Sequence, residues 1–208
     1  MKALRVPLLL FVLPASLLAF VSSPAGQLGL ERAALGRGEL WRLWTGHWIH
    51  FSASHLGWNL VVLLAAGSWL EHRRPGWLLR HTLVAAPLVS LVLLVAEPAM
   101  RVYGGLSALA TSVVTLLALV QLQSRRADRP LWTALLLLVA GKIIYDAGHA
   151  SALFSRFDAP GVRPSVFAHA AGAALALGLW PLWHHLDATA AGKKSAGTRD
   201  EFPAARFR

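Results

Sequence analysis

No cysteine occurs in the 208 residues, which removes disulfides, thiolate nucleophiles and Cys-ligated metals or iron–sulfur clusters in one step. Charge is scarce as well. Asp, Glu, Lys and Arg make up 14% of the chain, where a soluble domain carries about a quarter. Acid is the scarcer sign, with ten Asp and Glu against 20 Lys and Arg. What fills the chain instead is apolar: 56% of residues are hydrophobic and the mean hydropathy is +0.52. Missing charge on this scale implies lipid as solvent, so the class is a small, all-α polytopic membrane protein whose first partner is membrane lipid. The net charge of +10 would point to nucleic acid in a soluble protein. Here the basic residues sit in short clusters between apolar runs and at the C-terminus, the pattern of topology determinants, and no nucleic-acid partner is expected.

A hydrocarbon core about 30 Å thick needs roughly 20 helical residues. Six stretches approach that length: Val6–Ser23, His55–Glu71, Trp77–Ala96, Gly104–Gln123, Leu131–Ala150 and Val166–Leu186. Turn and charge signals separate them. Lys2 and Arg5 before the first stretch also fit a signal peptide, and charge counting weighs against that reading. With the N-terminus inside, the inner segments hold thirteen Lys and Arg and the outer ones six, so both termini are expected in the cytoplasm. The expected domain is residues 1–186, followed by a disordered cytoplasmic tail, 187–208, rich in Ala, Gly, Lys and Arg. In the long outer segment Pro24–Ser54, Trp41, Trp44 and Trp48 recur at helical spacing, which predicts three rings on one face of a helix lying on the membrane.

Polar groups inside spans are costly and each raises a question of function. The topology puts the first turns of the second, fourth and sixth spans at one depth below the outer face. Those turns hold His55 and Asn59, then Ser107 after Gly104-Gly105-Leu106, then His169. Ser plus His at one depth is a possible nucleophile and general base. His55 and Asn59, at i and i+4, share a helical face and can donate to an oxyanion. Small residues at Gly104, Ala108, Ser112 and at Ala168, Gly172, Ala176 would let the two helices approach. No orienting carboxylate is evident. Asp146, the one acid inside a late span, stands four residues from Lys142 and reads as an i, i+4 structural bridge.

Taken singly, these residues have ordinary roles. A Ser at a helix start is usually a cap, an Asn inside a span is helix glue, and stripes of small residues are packing. His47, His72, His81, His149, His184 and His185 read as interfacial decoration. His55 and His169 as axial ligands of a haem is the leading alternative chemistry, but it leaves Ser107, the Gly pair and Asn59 unexplained. No cofactor or metal is expected.

From about Glu39 to Leu186 the sequence resembles the rhomboid superfamily of intramembrane serine proteases. The likeness is carried by Trp41-Arg42-Leu43-Trp44-Thr45, His50-Phe51-Ser52, His55-Leu56-Gly57-Trp58-Asn59 and Glu71. It continues in Gly105-Leu106-Ser107 and Ala168-His169-Ala170-Ala171-Gly172. The resemblance implies a six-transmembrane-helix bundle with a Ser107–His169 dyad in a cavity open to the outer face. It also implies that His55, Asn59 and the Ser107 amide serve the oxyanion, with Trp41, Arg42, His50, Glu71, Gly105 and Gly172 as motif residues. Compact length, Tyr103-Gly104-Gly105-Leu106-Ser107 and Gly141-Lys142-Ile143-Ile144-Tyr145-Asp146 are most similar to the rhombosortase branch. That branch implies a bacterial inner-membrane enzyme that cuts secreted proteins anchored by a C-terminal Gly-Gly, apolar helix and basic cluster. Ala108 stands where most rhomboids have Gly, and Thr111 where many have Tyr. A catalytically inactive rhomboid-like protein that binds transmembrane clients is the alternative. The outer segment Ser151–Ser165, with Pro160, Gly161 and Pro164, is expected to be a lid before the His169 helix.

Overall fold

The computed structural model of the chain describes residues 2–18, 24–149 and 165–200. Among them every regular element is helical, and the one isolated bridge joins Leu30 to Tyr103. The N-terminal run is α1 (Lys2–Pro7), a π-helical turn (Leu8–Val12) and α2 (Leu13–Leu18). Short helices α3 (Pro24–Leu28), α4 (Arg32–Gly36) and α5 (Arg42–Thr45) follow, then the long helices α6 (Ala53–Arg73), α7 (Trp77–Ala96), α8 (Ser107–Leu122), α9 (Arg129–Gly148) and α10 (Val166–Asp200). Among the described residues three helices are long and apolar enough to cross a membrane: Ala53–Arg73, Trp77–Ala96 and Arg126–Gly148, with mean hydropathies of 1.2, 2.0 and 1.5. Ala3–Leu18 and Ser107–Leu122 are shorter apolar helices.

Two differences from the expected boundaries have a clear physical reason. The fourth helix begins at Ser107 rather than Gly104, because Gly105 takes a φ of +140° that a helix cannot contain. The last helix does not stop near Leu186 but continues to Asp200, through much of the segment read as a disordered tail. A helix already nucleated upstream propagates easily through Ala- and Lys-rich sequence.

The core is assembled on α8, which is buried along most of its length and packs between α6 and α10. The small-residue stripes lie in that contact: Ala108, Ser112, Ala168, Gly172 and Ala176 are all buried. A Cβ at Gly172 would stand 2.1 Å from the Ala108 carbonyl oxygen, so only glycine permits this approach. α7 runs antiparallel to α10. Ser165, the N-cap of α10, donates to Glu97 and accepts from the Ala168 amide at 3.0 Å. At the other end Trp77 and Arg80 bond to Asp187 at 2.6 and 3.2 Å.

The segment 24–52 is a folded loop docked on α7, and the docking follows from Pro87. Proline inside a helix has no N–H to give the carbonyl four residues back, and that carbonyl, Leu83 O, accepts from Trp44 Nε1 at 3.0 Å. One turn on, His47 Nε2 meets Ala86 O at 2.8 Å and Ser90 Oγ at 3.1 Å, while Ser90 donates to Leu43 O. His47 is therefore fully buried, not interfacial. The expected three-Trp face does not form, because α5 lasts four residues before a 3-10 turn at Gly46–Trp48 reverses the ring direction. Trp41 and Trp44 stay exposed, whereas Trp48 donates to Leu10 O at 2.8 Å and stacks on Phe11.

Arg42 ties the loop to itself. Its guanidinium is buried and donates to Gly29 O at 2.8 Å, Gly26 O at 2.9 Å and Glu39 at 2.7 Å. Arg42→Ala is expected to lower loop and global stability by on the order of 3 kcal/mol, and Arg42→Lys to recover only part, since one ammonium cannot replace the fork. Denaturant unfolding in detergent measures this, and an unchanged midpoint would show that the fork is not what holds the loop.

Burial pushes the His47 and His50 imidazoles down from 6.5 to about 4, with the Ala86 and Trp48 carbonyls working the other way. Both rings are neutral in the folded loop at neutral pH, whereas the unfolded loop takes up protons below about 6.5. Stability from these rings is thus complete above that pH and is lost as pH falls toward 4. Amide-exchange protection across residues 24–52, corrected for intrinsic rates, is expected to fall in that window and to fall less in His47→Gln. Protection independent of pH would contradict this.

Candidate active site

Ser107 is the first residue of α8 and is half-buried. Its position is set by the chain before it. Tyr103 and Leu30 exchange backbone hydrogen bonds at 2.9 and 3.1 Å, which pins the approach to the helix onto the docked loop. The Tyr103 hydroxyl, buried, donates to Gly105 O at 3.0 Å and lies beside the Ser107 side chain. Burial raises the Tyr103 phenol, the Ser107 hydroxyl opposing that shift. Ser107 is not the helix cap: that place belongs to Leu106, without a side-chain bond. Thr111 directs its hydroxyl to the Ser107 carbonyl at 2.9 Å.

A polar group gathers where α6 begins. Ser52, extended and at the N-cap, accepts from the His55 amide at 3.1 Å and so starts α6 at that point. The His55 ring lies against Gly105, where a Cβ would come within 2.7 Å of Cε1. Any side chain at 105 would displace the ring. His50 and His55 meet edge-to-face at 5.0 Å between centroids. His50 Nδ1 is 2.9 Å from Trp48 O, which assigns its proton there and leaves Nε2 as acceptor. Asn59 Nδ2 at 3.2 Å and the Leu106 amide at 3.4 Å are the donors to that nitrogen. His50 therefore links α6 to the residue preceding Ser107, a structural role.

His169 lies in the first turns of α10 and is buried. Its Nδ1 is 2.8 Å from Asp146 Oδ2. The i, i+4 bridge read from the sequence is present, with Lys142 Nζ 2.5 Å from the same oxygen, but Asp146 is not only a bridge. Its Oδ2 also faces the His169 ring, a contact between residues 23 apart in sequence that the sequence did not reveal. His55 lies within electrostatic reach of both His169 and Lys142, so the groups from α6, α9 and α10 share one neighbourhood. The Ala108–Gly172 contact falls one residue after Ser107 and one turn after His169. Among the described residues no hydrogen bond joins Ser107 to His169.

The other motif residues act elsewhere. Trp41 is exposed and Arg42 holds the loop, as described. Glu71, at the far end of α6, accepts from the Gly76 amide at 2.7 Å and shapes the turn into α7. His81, read as interfacial, is fully buried: Nε2 lies 2.7 Å from Ser112 Oγ, and Trp183 donates to Nδ1 at 3.2 Å. Of the signals missed, Tyr103 stood next to the Gly pair and Asp146 beside Lys142. The expected lid, 151–165, lies outside the described residues apart from Ser165, as do residues 19–23 of the first expected span and 201–208 of the tail. Among the described residues no cluster of three or more His, Asp or Glu is placed to hold a metal ion.

The family model described as Rhomboid domain matches residues 37–185. No curated protein matches the chain at a significant level. The matched region contains Arg42, His50, His55, Asn59, Ser107, Asp146, His169 and Gly172. With well over half of its length matched, this chain belongs to the rhomboid family, whose members are generally intramembrane serine proteases.

Proposed function

We propose that the chain is an intramembrane serine endopeptidase in which Ser107 is the nucleophile and His169 the general base. The observation that carries this reading is the contact between α8 and α10. A close approach, at Ala108 and Gly172, lies beside both residues, and His169 presents Nδ1 to an acceptor. With Nδ1 protonated, Nε2 is free to take a proton.

The chemistry is then acyl transfer. Ser107 Oγ attacks the scissile carbonyl carbon as its proton passes to His169 Nε2. The carbonyl oxygen becomes an oxyanion, for which His55, Asn59 and the Ser107 amide are the proposed donors. Collapse expels the amine, which leaves with the Nε2 proton. Water then attacks the Ser107 ester as its proton passes to His169, and collapse releases the acid while His169 returns that proton to Ser107 Oγ.

The proposed setting is a six-span bundle in a bacterial inner membrane with both termini in the cytoplasm and the site open to the periplasmic face. The excess of Lys and Arg in the alternate segments supports this orientation. The proposed substrates are secreted proteins held by a C-terminal transmembrane tail. A peptide bond inside an intact helix is shielded, so a helix-breaking junction at the outer boundary favours entry to the site. A Gly-Gly pair is such a junction, and the rhombosortase-like residues Tyr103–Ser107 and Gly141–Asp146 support that client class.

In the first test, purified protein is expected to react with a fluorophosphonate probe and to cut a membrane-anchored reporter. Ser107→Ala should lose both while unfolding at the same temperature. Retained cleavage in the variant, or an unreactive wild-type protein that still binds the reporter, would overturn the assignment, the latter in favour of a client-binding role. In the second, replacing Gly-Gly at the reporter's outer boundary with Leu-Leu is expected to lower cleavage at least tenfold. Equal cleavage of both reporters would leave a general rhomboid protease and remove the sorting-tail reading.

A further inference from the structure

We infer that Asp146, held by Lys142, is the positioning carboxylate for the His169 imidazole, so that the reacting constellation is Ser107, His169 and Asp146 on α8, α10 and α9. The inference rests on the protease reading above and adds a residue to it. α9 is the most exposed of the long apolar helices: of its 20 residues only Trp132 and Asp146 are buried. An acid on such a helix is stabilised most simply by a Lys one turn away, the pair leaning together toward the membrane surface. Asp146 does otherwise. Its side chain is 0% exposed and is directed into the bundle, while Lys142 retains 27% exposure. The inward direction places Oδ2 at 2.8 Å from His169 Nδ1.

The distances also assign the tautomer. An ionised carboxylate only accepts, so a 2.8 Å contact puts the imidazole proton on Nδ1 and the lone pair on Nε2. Lys142 Nζ donating to Nδ1 would have the opposite effect, moving the proton to Nε2 and removing the base. At 3.4 Å from Nδ1 and 2.5 Å from Asp146 Oδ2, its ammonium serves the carboxylate instead. Lys142 thereby keeps a buried acid ionised without leaving a lone negative charge among apolar helices. When Ser107 gives its proton to Nε2, the imidazolium faces an anion that is already in place, and the Nδ1 proton stays where it was. The proton leaves from Nε2 with the amine, and Asp146 remains ionised throughout.

The test uses the full chain in detergent with a membrane-anchored reporter, comparing Asp146→Asn, Asp146→Glu and the double variant Lys142→Met with Asp146→Asn. Rates are normalised to folded protein. A positioning role predicts that Asp146→Asn lowers kcat by at least about 100-fold with KM within about threefold, and that Asp146→Glu recovers part of the loss. The double variant regains thermal stability, because no unpaired ammonium remains, but not turnover. In proton NMR of His-labelled protein, a downfield Nδ1–H resonance from His169 is expected in the wild type and absent in Asp146→Asn. Turnover within threefold of wild type in folded Asp146→Asn, or full recovery of kcat in the double variant, would reduce the pair to a structural bridge. If the wild type reacts with fluorophosphonate at Ser107 and Asp146→Asn reacts at the same rate, this inference alone fails. A wild type that does not react fails the protease reading itself.

Discussion

The carbonyl of Ala108 occupies the space where a side chain on residue 172 would begin. That single approach of α10 to α8 fixes what surrounds it. Two helices can come this close only where one has no Cβ, and in lipid, where apolar side chains gain nothing by leaving the solvent, close van der Waals packing is what holds helices together. The contact lies near the N-terminal ends of both helices. It therefore sets the separation of Ser107 and His169, which sit beside it, more directly than any feature of either residue.

A second constraint works at the same end of the bundle. The loop 24–52 has only short helices and so many backbone groups outside regular structure, for which it must find partners. Arg42 supplies three donors inside the loop, Pro87 leaves a carbonyl on α7 for Trp44, and the Leu30–Tyr103 bridge joins the loop to the chain entering α8. Gly105, left-handed and lying under the His55 ring, finishes that approach. The loop is thus a clamp on the residues just before Ser107. Arg42, far from Ser107 in sequence, thus bears on the approach to α8 through the loop it holds together.

Four groups of buried or half-buried polar side chains form matched sets: His47 with Ser90, His81 with Ser112 and Trp183, His50 with Asn59, and His169 with Asp146 and Lys142. Each set joins different helices, or the loop to a helix. In a low-dielectric interior an unmet donor or acceptor is costly, so each set also fixes register between its elements. The first two sets are sealed from the exterior and serve packing alone. The third reaches the Leu106 amide, next to Gly105 and the half-buried Ser107, and the fourth lies one turn from the Ala108–Gly172 contact.

Much of this was legible in the chain. Low charge and long apolar runs determined an all-helical membrane class, because lipid leaves backbone polar groups no partner but the helix itself. The bounds of α7, the polar first turns of α6, α8 and α10 and the small-residue stripes followed from composition and spacing. Local sequence also determined the Lys142–Asp146 bridge, since i, i+4 neighbours meet on any helix. What it could not show was which way that bridge points. The direction of Asp146 toward His169 depends on the rotation of α9 against α10, a tertiary quantity with almost no trace in so exposed and evenly apolar a helix. The same holds for His47 and His81, which look like surface histidines until packing against α7 and a distant Trp183 buries them. The loop tryptophans diverge for a local reason, a four-residue helix ending in a tighter turn, but which ring then turned inward was decided by Phe11 and the Leu10 carbonyl on the first helix. Sequence fixes partners on one helix through its period; partners on different helices are chosen by packing, and this site is built from four of them.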